Sequence, residues 1–212
     1  MAFRGWPEEV IPFFEGLEAD NSKAYWTAHK ETYERAVRAP MVALLDELSA
    51  AWGDSKVFRP YRDVRFSKDK SPYKTNIAAT LSEGGYIRLD ADVLGVGAGM
   101  YLMGSDQLAR FRGAVADDAS GRALERIVAA LTKKGIEVSS HEMLKTAPRG
   151  YPVDHPRIGL LRHKDLVAWR EWPVGDWVQT AEPKRRVVAF FRATAPLKDW
   201  LATHVGGPTS PH

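Results

Sequence analysis

The residues with most capacity for chemistry lie together in this chain. The run Arg62-Asp63-Val64-Arg65-Phe66-Ser67-Lys68-Asp69-Lys70-Ser71-Pro72-Tyr73-Lys74-Thr75 combines guanidinium forks, ammonium groups, hydroxyls and two carboxylates. A guanidinium grips a phosphate or carboxylate through two parallel hydrogen bonds, and lysines add point charges. Arg62, Asp63, Arg65, Ser67, Lys68, Asp69, Lys70, Tyr73, Lys74 and Thr75 are therefore the candidate ligand-binding residues. Asp63 and Arg65 are expected on one strand face, two residues apart. Lys68, Lys70 and Lys74 then ring a turn, Ser67 and Thr75 are neutral donors, and Tyr73 stacks or donates. Such a set suits an anionic, phosphate-bearing small molecule. In the structural alternative, Asp63 and Asp69 staple a hairpin through neighbouring arginines and lysines, and no ligand is involved.

Charge distribution favours the same segment. The chain carries a net +3 with a pI near 9.1. Residues 56–74 hold seven bases (Lys56, Arg59, Arg62, Arg65, Lys68, Lys70, Lys74) against Asp63 and Asp69, a local +5 that leaves the remainder at −2. A clustered positive field concentrates an anion, whereas scattered charge mainly aids solubility.

Other chemistries have weaker support. Phe58, Tyr61, Phe66 and Tyr73 interleave the bases, which is compatible with phosphate contacts and base stacking on a nucleic acid. No helix-turn-helix, ribonucleoprotein or zinc pattern accompanies them. A phosphoester hydrolase would draw on Asp63, Asp69 and Lys70, but Asp69 and Lys70 are adjacent where a metal nuclease needs a strand-spaced set. Ser67-Lys68-Asp69-Lys70 fits S-x-x-K without its companion motifs. The six histidines are scattered, and only His141-Glu142 with Asp154-His155 hints at a metal pair. With no cysteine, disulfides, Cys-ligated zinc, iron–sulfur clusters and thiol nucleophiles are excluded. Catalytic residues, cofactor and oligomeric state are left open.

The basic run resembles the signature R-D-x-R-F-S-x-D-K-x-P-Y-K of the domain-of-unknown-function family DUF2461. Phe13-Phe14 with Leu17, Asn21 and Tyr25-Trp26, the Gly97–Met100 segment, and Leu144-Lys145 with Pro148-Arg149-Gly150-Tyr151 are similar to further family blocks. The resemblance spans Phe3 to Leu201. It implies no activity, cofactor or catalytic residue.

Several elements must position the run. Val10, Phe13, Phe14 and Leu17 form a helical stripe. A second helix is expected over 22–38, and a third opened by Pro40 and stopped by Gly53. Residues 57–66 alternate like a strand, with Arg62, Val64 and Phe66 on one side and Tyr61, Asp63 and Arg65 on the other. Residues 67–72 read as a turn, and 76–81, 86–90 and 93–102 as strands, with a hairpin turn at Glu83-Gly84-Gly85. Gly95, Gly97 and Gly99 flatten one face of the last strand for the close approach of another backbone, an aromatic or a ligand, the bland reading being a closely packed helix and the functional one the floor of the ligand site. Ser105 and Ser120 are candidate N-caps. Residues 136–138 and 158–162 read as short strands, and Trp169, Trp172 and Trp177 as lying in an irregular stretch. A last helix runs from about 180 towards Leu201, kinked or split by Pro196.

These elements give an α+β fold: an antiparallel sheet meander packed with N-terminal, middle and C-terminal helices. The expected organisation is one domain over 1–205 with a frayed tail at 206–212. With 44% hydrophobic residues and 22 aromatics the composition is that of a folded core. No run approaches the ~20 apolar residues of a membrane span. The first residues do not read as a signal peptide, and the expected location is cytoplasmic.

Overall fold

A computed structural model describes residues 2–207. It has an α+β fold with an antiparallel sheet of six strands in the order β1-β2-β3-β4-β6-β5. These are β1 (Ser55–Val57), β2 (Asn76–Leu81), β3 (Gly85–Asp90), β4 (Val93–Met100), β5 (Glu137–Ser139) and β6 (Leu166–Pro173). Helices lie before, within and after the strands: α1 (Val10–Ala19), α2 (Lys23–Thr32), α3 (Ala39–Trp52), α4 (Ser105–Ala116), α5 (Asp118–Lys133), α6 (Ile158–Leu161) and α7 (Glu182–His204). None is long and apolar enough to cross a membrane. The described residues group into two compact units, drawn from Met1–Val96 with Glu171–Phe190, and from Gly97–Arg170 with Phe191–His212.

In the first unit, α1 buries the expected stripe of Val10, Phe13, Phe14 and Leu17. Ser22 caps α2 by accepting from the Tyr25 amide at 3.1 Å. The chain does not break between α2 and α3. Tyr33–Arg38 forms π-type turns, and the Ala39 amide reaches back to the Glu34 carbonyl. Pro40, in the first turn of α3, has no N–H, and its ring would clash with the carbonyl four residues earlier in a regular helix. The wider turn relieves that clash. Gly53 ends α3 with φ of 79°, a conformation that favours glycine.

The β2–β3 hairpin pairs Leu81 with Gly85 across Ser82-Glu83-Gly84, with Gly84 left-handed at φ 82°. Ile77, Ala79, Leu81, Ile87 and Leu89 are buried. Asp90 then turns the chain into β4 by accepting the Asp92 and Val93 amides at 3.0 and 2.8 Å.

In the second unit, Gly99 has φ of 143°, and a Cβ there would lie 2.3 Å from the Leu166 carbonyl oxygen. Its close neighbour is thus the backbone of β6, one of the approaches that the flat glycine face suggested. The caps of α4 and α5 fall earlier than the serines suggested. Gly104 precedes α4, with its amide donating to Gln107 Oε1 at 3.0 Å. Asp117 caps α5 by accepting the Ala119 and Ser120 amides. Gly206 and Gly207, expected in the frayed tail, accept from Gln107 and Arg110 at 2.9 and 2.7 Å. The rest of that tail, 208–212, lies outside the described residues.

Three element expectations are overturned. Only Ser55–Val57 of the basic region is a strand, and 58–75 is irregular apart from a single Tyr61–Tyr73 bridge. Residues Ile158–Leu161 are a short helix, because the four-residue apolar run fits one helical turn as well as a strand. Trp169 and Trp172 belong to β6, where Trp169 pairs with Glu137 and the aromatic side chains suit a pleated surface. Pro196 lies inside a continuous α7.

Candidate functional site

The basic run forms a loop that leaves β1 and returns to β2. At its base, the Phe58 amide donates to Ala78 O at 2.9 Å and the Lys74 amide to Pro60 O at 2.7 Å. The Arg62 amide donates to Pro72 O at 2.9 Å. Pro60 and Pro72 have no N–H, so they serve only as acceptors and prevent a regular ladder. The loop is anchored from below by Tyr73, which is buried and stacked on Trp26 with ring centres 4.6 Å apart and planes 11° apart. The Tyr73 amide donates to Asn21 Oδ1 at 2.9 Å.

Above that anchor the loop is organised by its own charges. Asp63 takes Arg65 in a two-bond fork, with Nε at 3.0 Å and Nη2 at 2.7 Å, and also accepts the Arg65 amide. Asp69 pairs with Arg62 and accepts the amide and hydroxyl of Ser71 at 2.9 and 2.6 Å. Both aspartates thus form short side-chain-to-backbone turns, which compete with strand geometry. The Ser71 hydroxyl and then Arg62 hold the Asp69 carboxyl well below the usual carboxylate range. The Arg65 fork, and then the Arg65 amide, lower the Asp63 carboxyl from its ordinary value. Lys70 Nζ donates to Val64 O at 3.0 Å.

The ten candidate residues are therefore not equivalent. Arg62 and Arg65 are each engaged by a carboxylate, and Lys70 by a carbonyl. Tyr73 faces inward. Ser67 and Thr75 are half-buried and Lys68 is exposed. Lys74 Nζ lies 5.4 Å from the Phe58 ring centre. Burial, and then the positive charge of Arg59, push the Lys74 ammonium below its ordinary pKa. Phe66 at the loop tip is 95% exposed, with the Arg65 guanidinium 5.9 Å from its ring centre. Candidate selection from sequence overlooked Arg59, Asn21 and Trp26. Arg59 stood in the charge cluster, whereas nothing in the spacing linked Asn21 to a residue 52 positions away.

Among the described residues no group of three or more His, Asp or Glu side chains is placed to hold a metal ion. The loop can present cations and the exposed rings of Phe66 and Tyr61 on an open surface, supported by a rigid aromatic base.

A family model described as "Conserved hypothetical protein (DUF2461)" matches residues 9–200. Comparison with the curated proteins finds no match.

Proposed function

The chain belongs to the DUF2461 family of conserved hypothetical proteins, and from the loop geometry we propose that it binds an anionic, phosphate-bearing ligand on the 56–75 loop. The observation that carries this reading is the Arg59–Lys74 pair. Burial, and then the Arg59 charge, disfavour the Lys74 ammonium at the loop base, and among the described residues Lys74 makes no ion pair with a carboxylate. An anion between them relieves both the repulsion and the desolvation. The Asp63–Arg65 and Asp69–Arg62 pairs then serve as scaffold. Exposed Lys68 and the remaining N–H groups of Arg62 supply further donors.

Titration with inorganic phosphate and pyrophosphate, followed by calorimetry and thermal melting, tests this. Saturable binding that falls at least about tenfold in Arg59→Ala and Lys74→Ala is expected, about 1.4 kcal/mol. Unchanged binding in both variants, or none by the parent, overturns it.

A second reading rests on Phe66. A fully presented aromatic beside Arg65 suits base stacking with phosphate contact on single-stranded nucleic acid. It predicts oligonucleotide binding that weakens steeply with salt and drops in Phe66→Ala. Salt-insensitive binding, or full retention in Phe66→Ala, rejects it. The hydrolase reading has less support, since Asp63 and Asp69 already accept several hydrogen bonds each.

A further inference from the structure

In the second unit, α5 and the C-terminal half of α7 enclose an open groove of about 340 Å³. Ala123, Ile127, Ala130 and Ala193 line it. Arg126 and Lys134 also line it, and both are exposed. Among the described residues neither makes an ion pair with a carboxylate. The adjoining Lys133 and Arg192 are exposed and outside the ion pairs as well. Arg122 is matched by Asp118 on the same helix, so the unmatched cations are confined to the groove end of α5.

The spacing of these charges discriminates between occupants. Arg126 and Lys134 are eight positions apart, about 12 Å along a helix axis. Acidic residues about two turns apart on a helix can meet both cations. The lining alanines let a helix approach closely, and Ile127 offers a ridge for its apolar face. A groove open along one side admits a helix from solvent.

We infer that the α5/α7 groove is a docking site for an acidic amphipathic helix of a partner protein. The site is separate from the basic loop and does not depend on the loop's ligand. Its occupant lays apolar residues over Ala123, Ala130 and Ala193, and its carboxylates meet Arg126 and Lys134.

The test uses the full chain and a fluorescent synthetic peptide that forms an amphipathic helix, with leucines on one face flanked by glutamates about two turns apart. A scrambled isomer of identical charge is the control. Saturable binding of the helix but not the isomer is expected. Ala130→Glu and the double variant Arg126→Glu/Lys134→Glu should each weaken it at least about tenfold, with circular dichroism and melting unchanged. Ala130 is exposed, so its substitution leaves the core intact. Absence of binding, equal binding of the isomer, or full binding by both variants overturns the inference. Self-association of the parent that Ala130→Glu abolishes replaces the partner helix with a second copy. Decanoate binding lost in both variants, with the peptide unbound, replaces it with an anionic amphiphile.

Discussion

The side-chain amide of Asn21 acts as a one-residue strand for Tyr73: Oδ1 accepts the Tyr73 amide at 2.9 Å, and Nδ2 donates to the Tyr73 carbonyl at 3.2 Å. The same Nδ2 also reaches Leu17 O at the end of α1. One side chain therefore fixes the basic loop to the helical layer of its unit, at the position where the loop sends its only buried aromatic inward.

Asn21→Ala should destabilise the protein by about 1–3 kcal/mol, because a buried peptide pair loses both partners. Urea unfolding measures the loss. Limited proteolysis should at the same time cut within 58–72 faster than in the parent. Asn21→Asp keeps the acceptor and loses the donors, so it should fall between the two.

Asp69 should titrate well below its ordinary 3.8, and Asp63 below it. A carboxylate with a depressed folded-state pKa stabilises the fold above its unfolded value and loses that contribution as pH falls through the folded value. Both groups are exposed, so the effect on global stability is small. Carboxyl carbon NMR shifts followed on acidification check the order. Ser71→Ala should move Asp69 upward, since the Ser71 hydroxyl is the largest cause of the shift.

His163 should make stability fall on mild acidification. Its ring is mostly buried, Nδ1 has no hydrogen-bond partner, and desolvation lowers its pKa from 6.5, against an opposing pull from Asp165. The unfolded chain then takes up a proton that the folded one refuses. Stability is complete above about pH 7 and declines below 6.5 until the folded ring itself protonates. Urea midpoints measured from about pH 8 to about pH 5 should show this slope, and His163→Gln should flatten it.

Arg157→Ala should cost about 2–4 kcal/mol. Its side chain is 4% exposed, donates to Val115 O at 2.6 Å and Ala116 O at 2.9 Å, and pairs with Asp118. It therefore satisfies the last carbonyls of α4 while holding the first turn of α5. Gly121→Ala should be damaging for the same reason, since a methyl there would sit 2.3 Å from Val115 O and 2.5 Å from Arg157 Nε. Thermal melting of both variants gives the comparison.

What was legible in the sequence was whatever depends on neighbours a few residues away. The stripe Val10, Phe13, Phe14 and Leu17 commits α1 to one face. The alternation of Tyr86 to Asp90 commits β3, and Gly53 stops α3, because helical and strand periods bury different positions. The α+β class followed from those elements. The same local logic failed over 57–66, where polar and apolar residues alternate as in a strand. A strand needs a partner ladder, and Pro60, Pro72 and the two aspartate turns deny it one. Tertiary structure alone decided that Tyr73 turns inward to Asn21 and Trp26, that Arg62 and Arg65 are already matched, and that Arg59 lies close enough to Lys74 to lower its pKa. Those are contacts across the fold, and residue types read in order carry no distance between positions that the chain brings together only by folding.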